Sequence, residues 1–357
     1  MNIETIGWDP QFQAQLEDIG CETGVAARVS REHRGAYTLL SALGELWAQP
    51  SGRFLHRVDT RDQLPAVGDW VAVEPVEREQ AGIIHAVLPR RSSFSRAAVG
   101  GRTEKQVLAA NVDTCFLVSG LGADFNPRRI ERYLSAAWDS GAMPVVLLNK
   151  ADTVDDPAAF VDQAEAVAPG VPVVALSAVT GAGFDGLGQW TGPGRTVVFL
   201  GSSGVGKSTI ANRLLGEETL ATGDTRAQDG RGRHTTTHRE LLPLPGGGVV
   251  IDTPGLRELQ AWYDNDSVSG AFADIAELAG YCRFGDCTHR SEPGCAVRGA
   301  VANGALDEHR LANYFRMQRE ERYLEVRRDD RQRHLERKRQ KKFTKANRDY
   351  IRHKRGM

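Results

Sequence analysis

Thr196-Val197-Val198-Phe199-Leu200-Gly201-Ser202-Ser203-Gly204-Val205-Gly206-Lys207-Ser208-Thr209 is the stretch that decides the fold. Its first five residues form a short β-branched and aromatic run of the kind that makes a buried strand. Gly201 to Ser208 then fit G-x-x-x-x-G-K-[ST], and Ser208 to Leu215 are compatible with a helix. That strand–loop–helix setting is the one a phosphate loop requires. The glycines let backbone N–H groups close around phosphate oxygens, and the helix start adds its own unpaired N–H groups and positive dipole end. Lys207 is placed to reach the β- and γ-phosphates, and Ser208, followed by Thr209, to ligate Mg²⁺.

Outward from this loop the chain alternates strand-like and helix-like stretches. Asp113 to Ser119, Pro144 to Leu148, Val171 to Leu176 and Gly248 to Ile251 are short, nearly continuous apolar runs, as strands buried on both faces show. Arg128 to Ser140 carries apolar residues at helical spacing (Ile130, Tyr133, Leu134, Ala137, Trp138). The pattern predicts an α/β domain with a doubly wound parallel sheet. Ligands of such sheets bind outside the carboxyl ends of the strands, and three further motifs follow predicted strands there.

Asn149-Lys150-Ala151-Asp152 ends the run Pro144 to Leu148. A carboxylate at Asp152 can accept from the N1–H and exocyclic amine of guanine. Adenine has no such donor pair and would leave the acid unpaired. Asn149 would brace neighbouring loops, the Lys150 stem would cover the base, and Ser177-Ala178 after the next strand would meet the guanine oxygen through backbone N–H. Asp252-Thr253-Pro254-Gly255 ends the run Gly248 to Ile251. Asp252 would hold Mg²⁺ through water, and the Gly255 N–H would sense the γ-phosphate. Between the two lies a polar, glycine-containing segment, Gly223 to Arg239, that suits a switch loop. One of Thr235, Thr236 or Thr237 should supply a Mg²⁺ ligand there, with Thr236 favoured.

Together these motifs predict hydrolysis of GTP to GDP, but their order is rotated. An ordinary GTPase carries the phosphate loop first and NKxD late, whereas here NKxD comes about fifty residues earlier. Leu256 stands where many GTPases place a water-orienting Gln after DxxG. A leucine cannot polarise water, so unassisted hydrolysis should be slow. His234 is the nearest substitute, and a surface role is its alternative.

Both flanks differ from this centre. From Gly24 to Arg96, short alternating runs broken at Gly35, Pro50-Ser51-Gly52 and Val67-Gly68-Asp69 predict an all-β barrel of the OB type. Ser92 to Val107, polar, basic and containing Gly100-Gly101, reads as a linker. After Leu259 the strands stop. Val268 to Leu278 and Ala305 to Val326 read as helices around Cys282, Cys287, His289 and Cys295. Three thiolates and an imidazole in fourteen residues match a closed structural Zn²⁺ site. The expected boundaries are 1–95 for the barrel, 96–262 for the GTPase domain, 263–326 for a helical zinc-binding domain and 327–357 for a basic tail.

The 357 residues carry a net charge of −1, but unevenly. Arg327 to Arg355 hold fourteen Lys or Arg against four acids, a net of +10, leaving −11 elsewhere. A basic tail on an acidic body suggests a polyanionic partner. No apolar run approaches the ~20 residues of a membrane span, and Met1 to Asp18 lack a basic start followed by an apolar core. Cytoplasmic location, no membrane partner and a monomer are the resulting expectations.

NKAD at Asn149 to Asp152, GSSGVGKST at Gly201 to Thr209, GRHTTT at Gly232 to Thr237, DTPG at Asp252 to Gly255 and the C-x4-C-x-H-x5-C cluster, in this order, resemble the RsgA (YjeQ) family of circularly permuted GTPases. Pro65 to Val71 and Ala110 to Asp113 are also similar to family stretches. The resemblance implies an N-terminal OB fold, a central permuted GTPase domain and a C-terminal zinc domain. It implies binding to the small (30S) ribosomal subunit and its 16S rRNA, a part in late subunit maturation, and GTP hydrolysis stimulated by that subunit. It assigns the zinc ligands to Cys282, Cys287, His289 and Cys295, and suggests His234 in place of the missing Gln. The region Ala36 to His56 departs, lacking the family's Cys and Arg-Gly pattern. Two other readings compete: an RNA-binding protein that uses GTP only as a sensor, which Leu256 favours, and an ATP-using P-loop enzyme, which NKAD opposes.

Overall fold

The computed structural model of the chain describes residues 1–20, 24–76, 79–97, 105–216, 220, 239–252, 272–308, 310–315 and 317–319. Five strands, β1 (Val25–Glu32), β2 (Tyr37–Ser41), β3 (Gly44–Pro50), β4 (Trp70–Pro75) and β5 (Ala81–Val87), close in the order β1-β2-β3-β5-β4-β1. β3 and β5 run parallel and the other pairs antiparallel. Alternate residues turn inward, so Ala27, Val29, Leu39, Leu46, Ala48, Val71, Val73 and Ile84 form one buried cluster. A short helix, α2 (Gly52–Arg57), follows β3. This is the expected small barrel.

Before it stands α1 (Pro10–Ile19), started by Asp9, whose carboxylate accepts from the N–H groups of Gln11 and Phe12, and by Pro10 at its first position. Ile6 and Phe12 are buried with Trp70, Ala109 and Val112 at the junction between the barrel and the following domain. Arg28 is also fully buried there. Its guanidinium donates to the carbonyls of Ile6, Gly68 and Asn111 and to Thr196 Oγ1, and lies 5.5 Å from the centre of the Trp70 ring. Burial pushes its pKa down to about 10, so it stays charged at neutral pH.

The stretch expected as a linker is instead a two-stranded antiparallel ribbon, β6 (Ser93–Ala97) with β7 (Lys105–Ala110). Phe94, Val107 and Leu108 are buried. Val107 to Ala110 are buried in a row, and the basic residues and glycine pair before them gave the stretch the texture of a linker.

The second domain is built on β8 (Thr114–Gly120), β9 (Met143–Asn149), β10 (Val173–Ala175), β11 (Thr196–Leu200), β12 (Glu240–Pro243) and β13 (Val249–Asp252), in the order β10-β9-β8-β11-β13-β12. All are parallel except β12, which runs antiparallel to β13. β12 also meets β1 through Arg31 and Glu240, so barrel and domain share one eleven-stranded sheet. Helices α3 (Pro127–Ser140), α4 (Ala158–Val167), α5 (Gly188–Thr191) and α6 (Lys207–Leu215) connect the strands. α3 begins at an Asn126 cap with Pro127 at its first position and ends at Gly141 in the left-handed region. Ile130, Leu134 and Ala137 face the core as expected, but Trp138 is exposed and the buried face includes Glu131.

After these come α7 (Ala273–Ala279) and α8 (Ala296–Ala302), with helical turns at 310–315 and 317–319. The first of the two expected helices is therefore present from Ala273. Residues 253–271 and the tail from 327 lie outside the described residues, as do His234, Thr235, Thr236, Thr237 and Gly255.

Candidate functional site

The parallel strands bring the described motifs to one edge. Leu200 pairs with Leu117 and Gly120 with Asn149, so the carboxyl ends of β8, β9 and β11 lie side by side. Asp252 closes β13, the neighbour of β11, and Ser177 follows β10. This is where a doubly wound sheet binds its ligand.

The phosphate loop has the backbone its glycines permit. Gly204 and Gly206 adopt φ of 82° and 96°, in the left-handed region. At Gly206 an added Cβ would stand 2.2 Å from Asn149 Nδ2, so this glycine is required for the loop to close on the NKxD segment. Lys207 Nζ donates to the carbonyls of Gly201 (2.8 Å) and Ser202 (2.5 Å), holding its ammonium inside the loop. Ser203 and Gly204 are exposed, Val205 is buried beneath them, and Ser202, Ser208 and Thr209 are half-buried.

Asn149 is 3 % exposed and joins two loops. Its Nδ2 donates to Val205 O (2.8 Å), and its Oδ1 accepts from Ala178 N (2.9 Å). The Ala178 N–H, expected to face a guanine oxygen, thus also braces Asn149. Ser177 is buried and its Oγ accepts from Thr180 N at 3.1 Å. Lys150 takes a left-handed φ of 68°, which turns Ala151 and Asp152 into a 3-10 turn at Ala151–Thr153. Asp152 is exposed on that turn, and Lys150 Nζ lies 3.7 Å from Asp124 Oδ2.

Two residues without a motif signature join this edge. Arg129, in the first turn of α3, donates to Ser202 Oγ at 2.7 Å. The Asn126-Pro127 pair marks the start of its helix, but nothing in the sequence marks its partner. Arg213, on α6, faces the loop after Ser177, with its guanidinium donating to the carbonyls of Ala178, Val179 and Thr180. No sequence motif marks it.

A second centre lies in the C-terminal helical region. The ligand atoms of Cys282, Cys287, His289 and Cys295 all fall within 4.8 Å of one another. Cys282 Sγ is 3.8 Å from Cys295 Sγ, and His289 Nδ1 is 3.6 Å from Cys282 Sγ and 3.5 Å from Cys295 Sγ. A tetrahedral zinc with bonds of about 2.3 Å to sulfur and 2.0–2.1 Å to nitrogen sets ligand separations of roughly 3.5–3.8 Å. Spacing and donor set therefore fit Zn²⁺ in a closed structural site. His289 reaches the cluster through a left-handed φ of 61°. Cys295 caps α8, its sulfur accepting from Arg298 N. Glu292 closes the loop by accepting from Thr288 Oγ1 and from the N–H groups of Thr288, Arg290 and Ser291. These bonds, that to the Thr288 hydroxyl foremost, hold its carboxyl well below the usual range.

A buried ionic network fastens this region to the sheet domain. Arg310 binds Asp274 on α7 through two bonds of 2.7 Å and Glu131 on α3 at 2.5 Å, while Asn313 donates to the other Glu131 oxygen. Burial raises the pKa of Glu131, and Arg310 and Asn313 oppose that rise.

Comparison with known proteins agrees with this geometry. The family model described as RsgA GTPase matches residues 87–262. The small ribosomal subunit biogenesis GTPase RsgA of Opitutus terrae is 50% identical over 357 residues, covering 98% of this chain and 97% of the relative. That of Streptomyces coelicolor is 45% identical over 336 residues, covering 93% and 90%. Among solved structures, YjeQ from Thermotoga maritima superposes with a TM-score of 0.63 at 27% identity, covering 84% of this chain and 98% of that one. YloQ, described as a circularly permuted GTPase, gives a TM-score of 0.60 at 22% identity, covering 84% and 96%, and supports the fold. With the described motifs gathered on one sheet edge in permuted order and these relatives spanning nearly its whole length, the chain belongs to the RsgA family of GTPases.

Proposed function

We propose that this GTPase acts on the small ribosomal subunit, as the names of its relatives state for them, assisting late maturation and hydrolysing GTP faster when bound to the subunit. The observation that carries the reading is the permuted assembly itself: phosphate loop and NKxD locked together through Asn149, next to a helical Cys₃His domain anchored on the same sheet domain by Arg310.

In the reaction, the loop Gly201 to Gly206 would bind the phosphates through backbone N–H groups, and Lys207 would balance charge on the β- and γ-phosphates. Val205, Ser208 and Thr209 complete the loop and the first turn of α6. Asp152 would select guanine, with Lys150 over the base and Ser177-Ala178 beside it. The oxygen donors Ser208, at the start of α6, and Asp252, at the end of β13, suit a hard cation such as Mg²⁺. Thr236 would add a ligand from the switch, Gly255 would sense the γ-phosphate, and His234 would orient the attacking water. When bound, Mg²⁺ supplies charge neutralisation between the phosphates. A zinc ion on Cys282, Cys287, His289 and Cys295 would fix the loop between α7 and α8.

Leu256, where many GTPases carry a Gln, has no amide to polarise water. Subunit binding would then complete the catalytic arrangement, and hydrolysis would lower affinity for the subunit. Contact with 16S rRNA through basic surface, action as a monomer and a cytoplasmic location belong to the same reading. No helix among the described residues is long and apolar enough to cross a membrane.

Nucleotide-dependent co-sedimentation tests it. Small subunits should retain the protein with a non-hydrolysable GTP analogue and release it with GDP. Equal retention in both states, or none in either, would contradict the proposal. The sensor reading, favoured by Leu256, predicts the same binding but a single turnover without steady hydrolysis.

A further inference from the structure

We infer that Arg213 is a positioning residue for base selection. It sets the backbone of the loop after Ser177 so that guanine is chosen through its 6-oxygen. This rests on the reading of Ser177-Ala178 as the base-facing loop.

The argument begins with where three consecutive carbonyls point. Arg213 Nη1 lies 3.3 Å from the oxygens of both Ala178 and Val179, and Nη2 lies 3.3 Å from that of Thr180. One cation gathering successive carbonyls turns those peptide dipoles toward itself. Of the N–H groups in those three peptides, that of Thr180 donates to Ser177 Oγ and that of Gly181 to Ser177 O, so the Val179 N–H, in the peptide of the Ala178 carbonyl, is the donor left for an oxygen ligand. The Ala178 N–H, one peptide earlier, is held by Asn149 Oδ1. A guanidinium on the carbonyl side also polarises these peptides and strengthens their donors.

The seat of the guanidinium is built. Gly181, at φ 88°, leaves it room: a Cβ there would stand 2.0 Å from Arg213 Nη2 and 2.6 Å from Cζ. The Phe184 ring covers it, with its centre 5.3 Å from Cζ. Arg213 belongs to α6, whose first residues are Lys207 and Ser208, so the side chain ties the phosphate-binding helix directly to the base loop. Asn149 makes the corresponding tie from the other side, between the phosphate loop and Ala178. The base loop is held between two polar clamps.

The test uses the full chain and compares binding of GDP with that of 6-thioguanosine 5′-diphosphate, which keeps the N1–H and N2 amine but replaces the 6-oxygen with a weaker acceptor. The native protein should prefer GDP. In Arg213→Met, GDP affinity should fall about tenfold, the scale of one hydrogen bond, while affinity for the analogue should change little, so the preference shrinks. Arg213→Lys should be intermediate. Gly181→Ala, which displaces the guanidinium while keeping it, should reproduce the loss and serves if Arg213→Met does not fold by circular dichroism. Equal losses for both ligands, leaving the preference intact, would reduce Arg213 to a purely structural role and overturn the proposal, as would no loss. If the native protein itself shows no preference, the loop does not read the 6-oxygen, and the base-loop reading fails first.

Discussion

Asn149 shows how much of the site hangs on single side chains. It is buried, and its amide satisfies one carbonyl of the phosphate loop and one N–H of the base loop. Asn149→Ala should leave both groups unpaired, at a cost of about 1–3 kcal/mol. Nucleotide affinity should fall by one to two orders of magnitude in an equilibrium titration, and an unchanged affinity would refute the bracing role. Asp152 stands exposed on its 3-10 turn. Asp152→Asn exchanges one acceptor for a donor, so GTP should lose and xanthosine triphosphate gain by roughly a hundredfold or more. Competition between the two nucleotides measures this, and a retained guanine preference would remove Asp152 from base reading. Asp152, Lys207 and the cysteines were legible because their chemistry fixes residue type and spacing. Arg129 and Arg213 were not, because an arginine on a helix surface carries no spacing signal and acquires its partners only when α3 and α6 dock on the sheet.

Among the elements, the loop between α7 and α8 depends most on chemistry that packing cannot replace. Among its residues, Tyr281 and Phe284 are exposed, and the four ligand atoms do the gathering. Chelation of the metal, or Cys295→Ser, should therefore loosen α8, which Cys295 caps. Hydrogen exchange of 296–302 should rise sharply while β8 and β11 remain protected, and undiminished protection of α8 would contradict a structural metal. The parallel strands were readable as apolar runs, and α3 from its cap and period. The ribbon of β6 and β7 was not, since Arg96, Lys105 and Gln106 flank a buried run of only four residues, Val107 to Ala110, and gave the stretch a polar texture. Glu131 broke the apolar stripe of α3 for a reason invisible locally: its partner Arg310 lies far along the chain.

For the whole molecule, continuity is the theme. The barrel is hydrogen-bonded to the GTPase sheet through β1 and β12, directly after the switch segment, and Arg28 pins the N-terminal segment, barrel and β11 together. At the other flank Arg310 and Glu131 anchor the helical domain on α3, the helix whose Arg129 touches the phosphate loop. Arg310→Met should leave the Glu131 carboxylate buried without its cation, held by Asn313 alone, and cost about 3–5 kcal/mol. Denaturant unfolding of Arg310→Met should show that loss, and adding Glu131→Met should recover much of it. A loss below the precision of the titration would mean that the network does not hold the domains. Domain order was legible from the rotated motifs and the cysteine cluster. The docking between domains was not, because it depends on buried charges meeting across elements remote in sequence.

The most direct test of the central claim, a permuted guanine-nucleotide site whose hydrolysis the small ribosomal subunit completes, is steady-state GTP hydrolysis with and without small subunits, in the presence of excess ATP. The account predicts slow turnover alone, strong stimulation by subunits and indifference to ATP. Fast turnover without subunits, no stimulation, or inhibition by ATP would contradict it.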